Sequence, residues 1–222
     1  MALLHYHPPM SPYLQIVYQD DDIIVLDKPS ELLTVPGKAP EHKDSLQLRI
    51  QRVFPTASIV HRLDMATSGL LVMALNKASH RHISRQFEQR QTAKTYLARV
   101  YGSPQDEQGV IDLPLICDWP NRPKQMVDHE RGKPSQTHWK VLQRQSQSTL
   151  LELTPITGRS HQLRVHMLSL GHPILGDRLY AHSQALAMAD RLQLHAQQLS
   201  FAHPADERPM TFTAPCPFAK EC

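Results

Sequence analysis

The sequence predicts an α+β fold, with a central, mixed and largely antiparallel sheet flanked by helices and loops. Strand-like segments outnumber helical ones, and most connections are too short for the crossover that joins two parallel strands. The 222 residues include 18 prolines spread along the chain, which is typical of many loops rather than of a helical bundle. We expect a single domain over residues 1–222, long enough to bury a hydrophobic core.

In the first half of the sequence, strands are predicted where apolar residues are consecutive or alternate with polar ones. These segments are residues 23–26, 59–60, 69–75 and 94–101. Helices are predicted where apolar side chains recur every three or four residues, at residues 45–54 and 76–90. Pro29 and Pro55 follow the first strand and the first helix, where a regular element commonly ends.

The second half predicts more strands and one helix. The strands cover residues 137–142, 149–153, 192–201 and 210–213, and we expect the first two to pair. The helix covers residues 160–170, with Ser160 as its N-cap and Gly171 as its stop.

Composition and cysteine use indicate a globular protein of the cytoplasm. Hydrophobic residues make up 41% of the chain and charged residues 20%, which is ordinary for a folded domain. The three cysteines are odd in number and lack CxxC spacing, so we expect reduced thiols at Cys117, Cys216 and Cys222. The sequence shows neither a secretory signal nor an apolar run long enough to span a bilayer, and we expect no membrane partner.

Charge is distributed unevenly along the chain. Residues 61–101 carry 7 Lys and Arg against 2 Asp and Glu, a net charge of +5, whereas residues 102–222 carry 12 of each sign. Such a segment is either a solvated helix face or a surface that binds phosphates. The sequence leaves both interpretations open.

The most informative segment is His61-Arg62-Leu63-Asp64, which a Thr-Ser-Gly turn joins to the apolar run at residues 70–75. A loop at the end of a buried strand can hold a reactive carboxylate rigidly. Spacing alone does not assign that role, because an Arg-x-Asp pair is more often a structural ion pair than a catalytic one.

The exact residues of this segment and of five others indicate a family more specifically than the spacing of their charged residues does. Six segments resemble motifs of the RluA family of RNA pseudouridine synthases, in chain order DKPS, HRLDMATSGLLVMA, KTYLARV, PITGRSHQLRVH, HPILGD and LHA. GRSHQ stands where the family usually has GRTHQ, a conservative change. The segment ICDWPNRPK resembles the short member of the family, which modifies both 23S rRNA and tRNA, and we accordingly expect no additional N-terminal RNA-binding domain.

The resemblance implies a single pseudouridine synthase catalytic domain, with Asp64 as the catalytic residue. The reaction cleaves the N1–C1′ bond of uridine, turns the uracil and rejoins it through C5. No electrons or outside atoms are exchanged, so we expect no cofactor and no metal. Asp64 would add to the sugar, add to the uracil ring or help remove a ribose proton, and the sequence leaves these three routes open.

The resemblance also implies two partners for Asp64. Arg164 would pair with the carboxylate and oppose the effect of burial, which favours the neutral form. Tyr96 would lie under the uracil and act as the base in the final deprotonation at C5. Without the motifs, Arg164 would be interpreted as a surface ion-pair residue and Tyr96 as a core tyrosine.

The remaining site predictions concern RNA. Arg62 would fill the place of the extruded uridine, and Leu194 would line the uracil pocket. Phosphate contacts are expected from Arg81, Arg85, Arg122, Lys124 and Arg159, the last at a helix N-terminus. We expect a monomer that binds stem-loops of 23S rRNA and tRNA, since loop bases are the usual targets of RNA recognition, and that does not bind DNA.

Two rival functions have weaker support. A metal-dependent hydrolase is suggested by the 14 histidines, but His161 and His166 are five residues apart and no HExxH or paired-cysteine motif occurs. A non-catalytic RNA-binding module would explain the basic segment, yet it would not require Asp64, Tyr96 and Arg164 together.

Overall fold

The structure is a computed structural model that describes residues 6–219. Within that range the strands are β1 (Ile16–Gln19), β2 (Ile23–Lys28), β3 (Ser58–Ile59), β4 (Ser68–Ala74), β5 (Ala93–Tyr101), β6 (Gln108–Asp112), β7 (Leu115–Cys117), β8 (Gln125–Val127), β9 (Gln136–Arg144), β10 (Ser148–Pro155), β11 (Leu194–Ala202) and β12 (Pro209–Thr213). The α-helices are α1 (Leu46–Gln51), α2 (Lys77–Glu88), α3 (Gln162–Ser169) and α4 (Ser183–Ala187). This confirms the predicted α+β class, with more strands than helices.

Two compact units make up the described chain, and β5 and β11 carry the chain from one to the other. The first unit comprises residues 6–94 and 196–216, and the second comprises residues 95–195 and 217–219. The single domain over residues 1–222 stays a prediction.

The first unit contains a sheet with the order β1-β2-β4-β11, to which β3 adds on β4 and β12 on β11. β2 is antiparallel to β4, with Leu26 opposite Leu71, both strands are almost wholly buried, and helix α2 packs against β4. The buried side chains form one cluster on this face: Ile23, Val25, Leu70, Val72, Ile83, Leu199, Phe201 and Ala214. Their burial is the main driving force for folding of this unit.

The second unit contains the antiparallel order β5-β10-β9-β6 and a separate two-stranded hairpin, β7–β8. The predicted pairing of residues 137–142 with 149–153 is confirmed as β9 with β10. The hairpin was not predicted from the sequence, because its three-residue strands are too short for a recognisable alternation.

Side-chain caps begin the first two helices where the sequence predicts helices. Ser45 Oγ accepts a hydrogen bond from Leu48 N at 3.3 Å before α1, and Asn76 Oδ1 accepts one from Ser79 N at 2.9 Å before α2. Such caps satisfy backbone donors that would otherwise lack a partner in the helix.

The predicted N-cap of the third helix is wrong. Helix α3 begins at Gln162, and its N-cap is His161, in the left-handed region at φ 53°, rather than Ser160. Gln162 displaces the expected cap, because its Oε1 accepts hydrogen bonds from Thr157 Oγ1 (2.7 Å) and Arg159 N (3.0 Å) and closes the turn itself. Gly171, at φ 86°, follows the helix as predicted.

Two further predictions concern the chain as a whole. None of the helices within residues 6–219 is long and apolar enough to cross a membrane. Cys117 carries a free thiol, as expected, and Cys222 lies outside the described residues.

Candidate active site

The loop that carries Asp64 is held by side chains of the segment after β2. Thr34 Oγ1 donates to Leu63 O at 2.7 Å and accepts from Leu63 N at 3.3 Å. Ser30 Oγ donates to Ala66 O at 2.6 Å. These contacts bind the backbone on both sides of Asp64, whose side chain is half-buried. These hydrogen bonds hold the backbone of the loop on either side of residue 64.

A fully buried lysine completes this support. Lys28 Nζ donates to the carbonyl oxygens of Pro29 (2.9 Å), Leu32 (2.7 Å) and Met65 (3.0 Å). A buried ammonium is costly unless its donors are satisfied, and three carbonyls satisfy all three N–H groups. We call Lys28, Ser30 and Thr34 the loop clamp.

His61 anchors the start of the same loop as a neutral ring. Its Nε2 accepts a hydrogen bond from Val72 N at 3.1 Å, and its ring stacks on Phe87 with centroids 4.4 Å apart. Burial, and secondarily the charge of Lys94, lowers the pKa of His61 to about 3. Burial likewise lowers the pKa of Lys94, whose Nζ lies 5.9 Å from the Phe87 ring. The imidazole thus serves as an acceptor for β4 rather than as a proton donor near neutral pH.

Gly69 fixes the path from the loop into β4. Its φ is +113°, and a Cβ at this position would lie 2.3 Å from Ala196 O of the neighbouring strand β11. A larger residue would push the two backbones apart, so the Thr-Ser-Gly turn depends on a glycine here.

In the second unit, Arg164 is buried on α3 and paired with Asp177. Arg164 Nε donates to Asp177 Oδ2 at 2.8 Å and Nη2 donates to Oδ1 at 2.6 Å. The two side chains are 5% and 1% exposed, so this is a buried bidentate ion pair. Sequence reasoning missed Asp177, although HPILGD contains it, because no spacing rule connects it with Arg164.

The ring of Tyr180 lies against the same guanidinium, 5.1 Å from Arg164 Cζ to the ring centroid. Its hydroxyl accepts from Gln125 N at 2.8 Å and lies 2.7 Å from His161 Nδ1. Arg164 is therefore held both by a carboxylate along one edge and by an aromatic ring across one face.

Tyr96 and Leu194 occupy strands of the second unit. Tyr96 is half-buried on β5 and opposite Leu153 of β10, whereas Leu194 begins β11 and is 3% exposed. Such burial fits a pocket wall and a core position equally well for a leucine.

The cationic residues predicted to bind RNA occupy several separate elements. Arg62 is exposed on the loop that carries Asp64, and Arg81 and Arg85 are exposed one turn apart on α2. The other three lie in the second unit: Arg122, Lys124 and Arg159.

The side chains of Arg122 and Arg159 make defined contacts, whereas Lys124 is half-buried. Arg122 is exposed between β7 and β8, and its guanidinium lies 4.7 Å from the ring centroid of Trp119, which is itself 64% exposed. Arg159 is exposed and donates from Nε to Pro134 O at 3.3 Å. It precedes the helix by three residues, so its own backbone is not the helix N-terminus expected from the sequence.

Among the described residues, one group has the spacing of a metal site: Asp20, Asp22 and His203, with candidate ligand atoms within 4.8 Å of one another. These atoms already hydrogen-bond within the protein, for example His203 Nε2 with Asp20 Oδ2 at 2.8 Å. Burial raises the pKa of Asp20, but the N–H groups of Ile23 and Asp22 outweigh it, together with Tyr18 and His203, and the pKa falls to about 2. The group acts as an internal hydrogen-bond network.

Comparison with known proteins gives consistent matches over most of the chain. The model of the RNA pseudouridylate synthase family matches residues 22–169. The dual-specificity RNA pseudouridine synthase RluA of Escherichia coli K12 is 58% identical over 219 residues, covering 98% of this chain and 100% of that relative. The RluA of Yersinia pestis is 60% identical over 204 residues, covering 91% of this chain and 99% of that relative.

Solved structures agree with this result. Human RNA pseudouridylate synthase domain containing 1 superposes with a TM-score of 0.80 at 32% identity, covering 96% of this chain and 87% of that one. Human RNA pseudouridylate synthase domain containing 4 gives a TM-score of 0.74 at 27% identity, covering 92% and 89%.

Proposed function

Because the chain belongs to the RluA family of RNA pseudouridine synthases, we propose that it isomerises uridines in stem-loops of both 23S rRNA and the tRNA anticodon arm. The observation that carries this proposal is the match to relatives named as dual-specificity enzymes over nearly the full length of both chains. The proposed substrates are RNA loops, whose bases are already partly unstacked.

Asp64 is the proposed catalytic group. An ionised carboxylate beside the ribose and the uracil is needed whether it adds to C1′, adds to the ring or helps remove a ribose proton. The loop clamp supports this role, since catalysis depends on holding the reacting group in one geometry. In each route the N1–C1′ bond breaks, a C5–C1′ bond forms, C5 loses its proton and N1 gains one.

Arg164 and Tyr96 are proposed to assist two different parts of the reaction, the ionised Asp64 and the proton at C5. Arg164 would hold Asp64 ionised through the part of its guanidinium that Asp177 does not contact. Tyr96 would stack under the uracil and accept the C5 proton at its hydroxyl. The half-buried position of Tyr96 on β5 is compatible with this role.

RNA is proposed to bind through cationic side chains, all of them exposed except the half-buried Lys124. Arg62 would replace the extruded uridine in the stack, because base extrusion leaves a gap that costs energy unless it is filled. Leu194 would form an apolar wall of the uracil pocket. Phosphates would be bound by Arg81, Arg85, Arg122, Lys124 and Arg159.

We further propose that the enzyme is a cytoplasmic monomer that needs neither cofactor nor metal. Sedimentation of the purified protein with and without a stem-loop checks the monomer. Turnover of a small stem-loop after EDTA treatment checks the metal, with a short RNA chosen so that chelation does not unfold it.

The test uses RNA labelled with tritium at C5 of uridine, because each isomerisation releases that hydrogen to water. We expect the purified protein to release tritium from both a 23S rRNA stem-loop and a tRNA anticodon arm. Pseudouridine mapping in cells with and without the gene then identifies the natural sites. Release from one RNA class alone would refute dual specificity, and release from neither would refute the proposed function.

A further inference from the structure

We infer that Asp177 is a positioning residue for catalysis, which aims the guanidinium of Arg164 through a buried bidentate pair. This inference rests on the proposed function, since it assumes that Arg164 serves the reaction at Asp64. It assigns a role to a residue of the HPILGD segment that neither touches the substrate in the proposal nor has a spacing that predicts it.

The burial of the pair between Arg164 and Asp177 is not explained by a gain in stability. Arg164 is 5% exposed and Asp177 is 1% exposed, so both charges have lost almost all contact with water. Such a pair adds little net stability, because the cost of desolvation offsets the attraction between the charges. Its clear physical effect is on the orientation of the Arg164 guanidinium, since two parallel hydrogen bonds fix the plane and the rotation of this group.

The two oxygens of Asp177 have different tasks. Oδ1 accepts from Arg164 Nη2 and also from Leu179 N (2.9 Å) and Tyr180 N (3.3 Å), so it shapes the turn after the carboxylate. Oδ2 accepts from Arg164 Nε at 2.8 Å. The turn that Oδ1 shapes places the ring of Tyr180 against the guanidinium.

This division sets which part of Arg164 can serve the reaction. Asp177 accepts from Nε–H and from one of the two N–H groups of Nη2, so both N–H groups of Nη1 and the second one of Nη2 point away from Asp177. Any rotation about the last bonds of the side chain would break both hydrogen bonds at once. Asp177 thus limits Arg164 to one presentation of Nη1, as supporting partners do for groups at reactive sites.

The test is the variant Asp177→Asn, which separates the two tasks. An amide oxygen at the Oδ1 position keeps the bonds to Leu179 N and Tyr180 N, so the turn is retained. An amide NH₂ at the Oδ2 position faces the Nε–H of Arg164, and two opposed donors turn the guanidinium away. We expect the single-turnover rate to fall about 10- to 100-fold, as removal of a supporting partner commonly does, while the Kd for RNA changes less than about two-fold because phosphate contacts remain.

Asp128→Asn is the matched control. Asp128 also accepts two backbone N–H groups, from Glu130 and Arg131, and pairs with the Arg131 guanidinium at 3.1 Å, but Arg131 is 72% exposed and outside the proposed site. The same amide replacement should therefore leave the single-turnover rate unchanged. Asp177→Glu provides a second test should the Asn variant fail to fold, because it keeps the charge balance but displaces the carboxylate by one methylene, and its rate should also fall.

A double-mutant cycle distinguishes positioning from a structural role. If Asp177 acts through Arg164, the double variant Arg164→Met/Asp177→Asn is no slower than Arg164→Met alone, whereas independent roles give multiplied losses. Multiplied losses, or a wild-type rate in folded Asp177→Asn or Asp177→Glu, would overturn the inference. An inactive wild-type protein in the same assay would instead refute the proposed function.

Discussion

Asp64 and Arg164, the two charged groups proposed for the reaction, are held in opposite ways. Asp64 lies on a loop whose backbone is bound by Lys28, Ser30 and Thr34. Arg164 lies on a helix, and its own guanidinium is bound by Asp177. The supporting hydrogen bonds therefore bind the main chain around Asp64, whereas they bind the side chain itself at Arg164.

This difference predicts different sensitivities to substitution. Replacing the side chain of Asp64 should leave the hydrogen bonds between the clamp and this loop in place, because they end on backbone atoms of the loop. Replacing a clamp residue should move Asp64 and loosen the loop together. Replacing the support of Arg164 should redirect the guanidinium while the helix stays folded.

The largest effects should separate Arg164 from Arg62, two residues of one type with different proposed roles. Arg164→Met should slow the chemical step equally on a structured stem-loop and on a loosened variant of it. Arg62→Ala should slow the structured RNA most, because extrusion of a stacked base costs about a few kcal/mol. Single-turnover rates of both variants on both RNAs provide the comparison.

The loosened RNA is the decisive condition in that experiment. It should restore much of the rate of Arg62→Ala and little of the rate of Arg164→Met. Equal restoration of the two variants would mean that the roles are not divided as proposed.

A smaller effect is expected from the loop clamp. Thr34→Val keeps the shape of the side chain but removes its hydrogen bonds to both Leu63 N and Leu63 O, which leaves buried polar groups without that partner. We expect unfolding to require about 1–3 kcal/mol less free energy and the single-turnover rate to fall as well. Thr211→Val, which removes an exposed hydrogen bond to Ser200 from β12, is the matched control and should change neither quantity appreciably.

The electrostatic contribution of the basic segment is smaller still for each residue. Replacing Arg81, Arg85 and Arg90 together by Gln should weaken RNA binding and flatten its salt dependence, by roughly 0.7 to 0.9 in the log–log slope for each phosphate that the variant no longer neutralises. Binding isotherms at several salt concentrations measure this slope. An unchanged slope would transfer the main phosphate-binding surface to the hairpin that carries Arg122 and Lys124.

The last prediction concerns the pH dependence of stability rather than activity. The pKa of His61 is about 3 in the folded protein, against an ordinary value of 6.5. Below pH 6.5 the unfolded chain therefore binds a proton at His61 that the folded chain does not bind. The stability contribution of neutral His61 is thus complete above that pH and is lost as the pH falls toward 3. In denaturation series, His61→Gln should make this decline shallower, whereas the exposed His129→Gln should not.

Local sequence patterns predicted much of the fold and identified the residues within the motifs. The features that they missed depend on side-chain contacts that spacing rules do not describe. The strand at residues 69–75 and the helix at 76–90 were recognisable because apolar spacing reports the buried face directly. The wrong N-cap arose because the side chain of Gln162 closes the turn with Thr157 Oγ1 and Arg159 N, which no capping rule predicts, and is itself held by Gln136 O, 26 residues away. Lys28 and Asp177 were likewise inside recognised segments, but Met65, one of the three partners of Lys28, lies 37 residues away from it, and Arg164 lies 13 residues away from Asp177.

The most direct test of the central claim is the single-turnover rate of Asp64→Asn, measured beside its affinity for the same stem-loop. We expect no detectable tritium release, with a Kd within a few-fold of wild type because affinity comes mostly from phosphate contacts. Asp21→Asn, a replacement of an exposed aspartate in the turn before β2, should retain full activity. Substantial pseudouridine formation by pure Asp64→Asn would contradict the assignment of Asp64 as the catalytic residue.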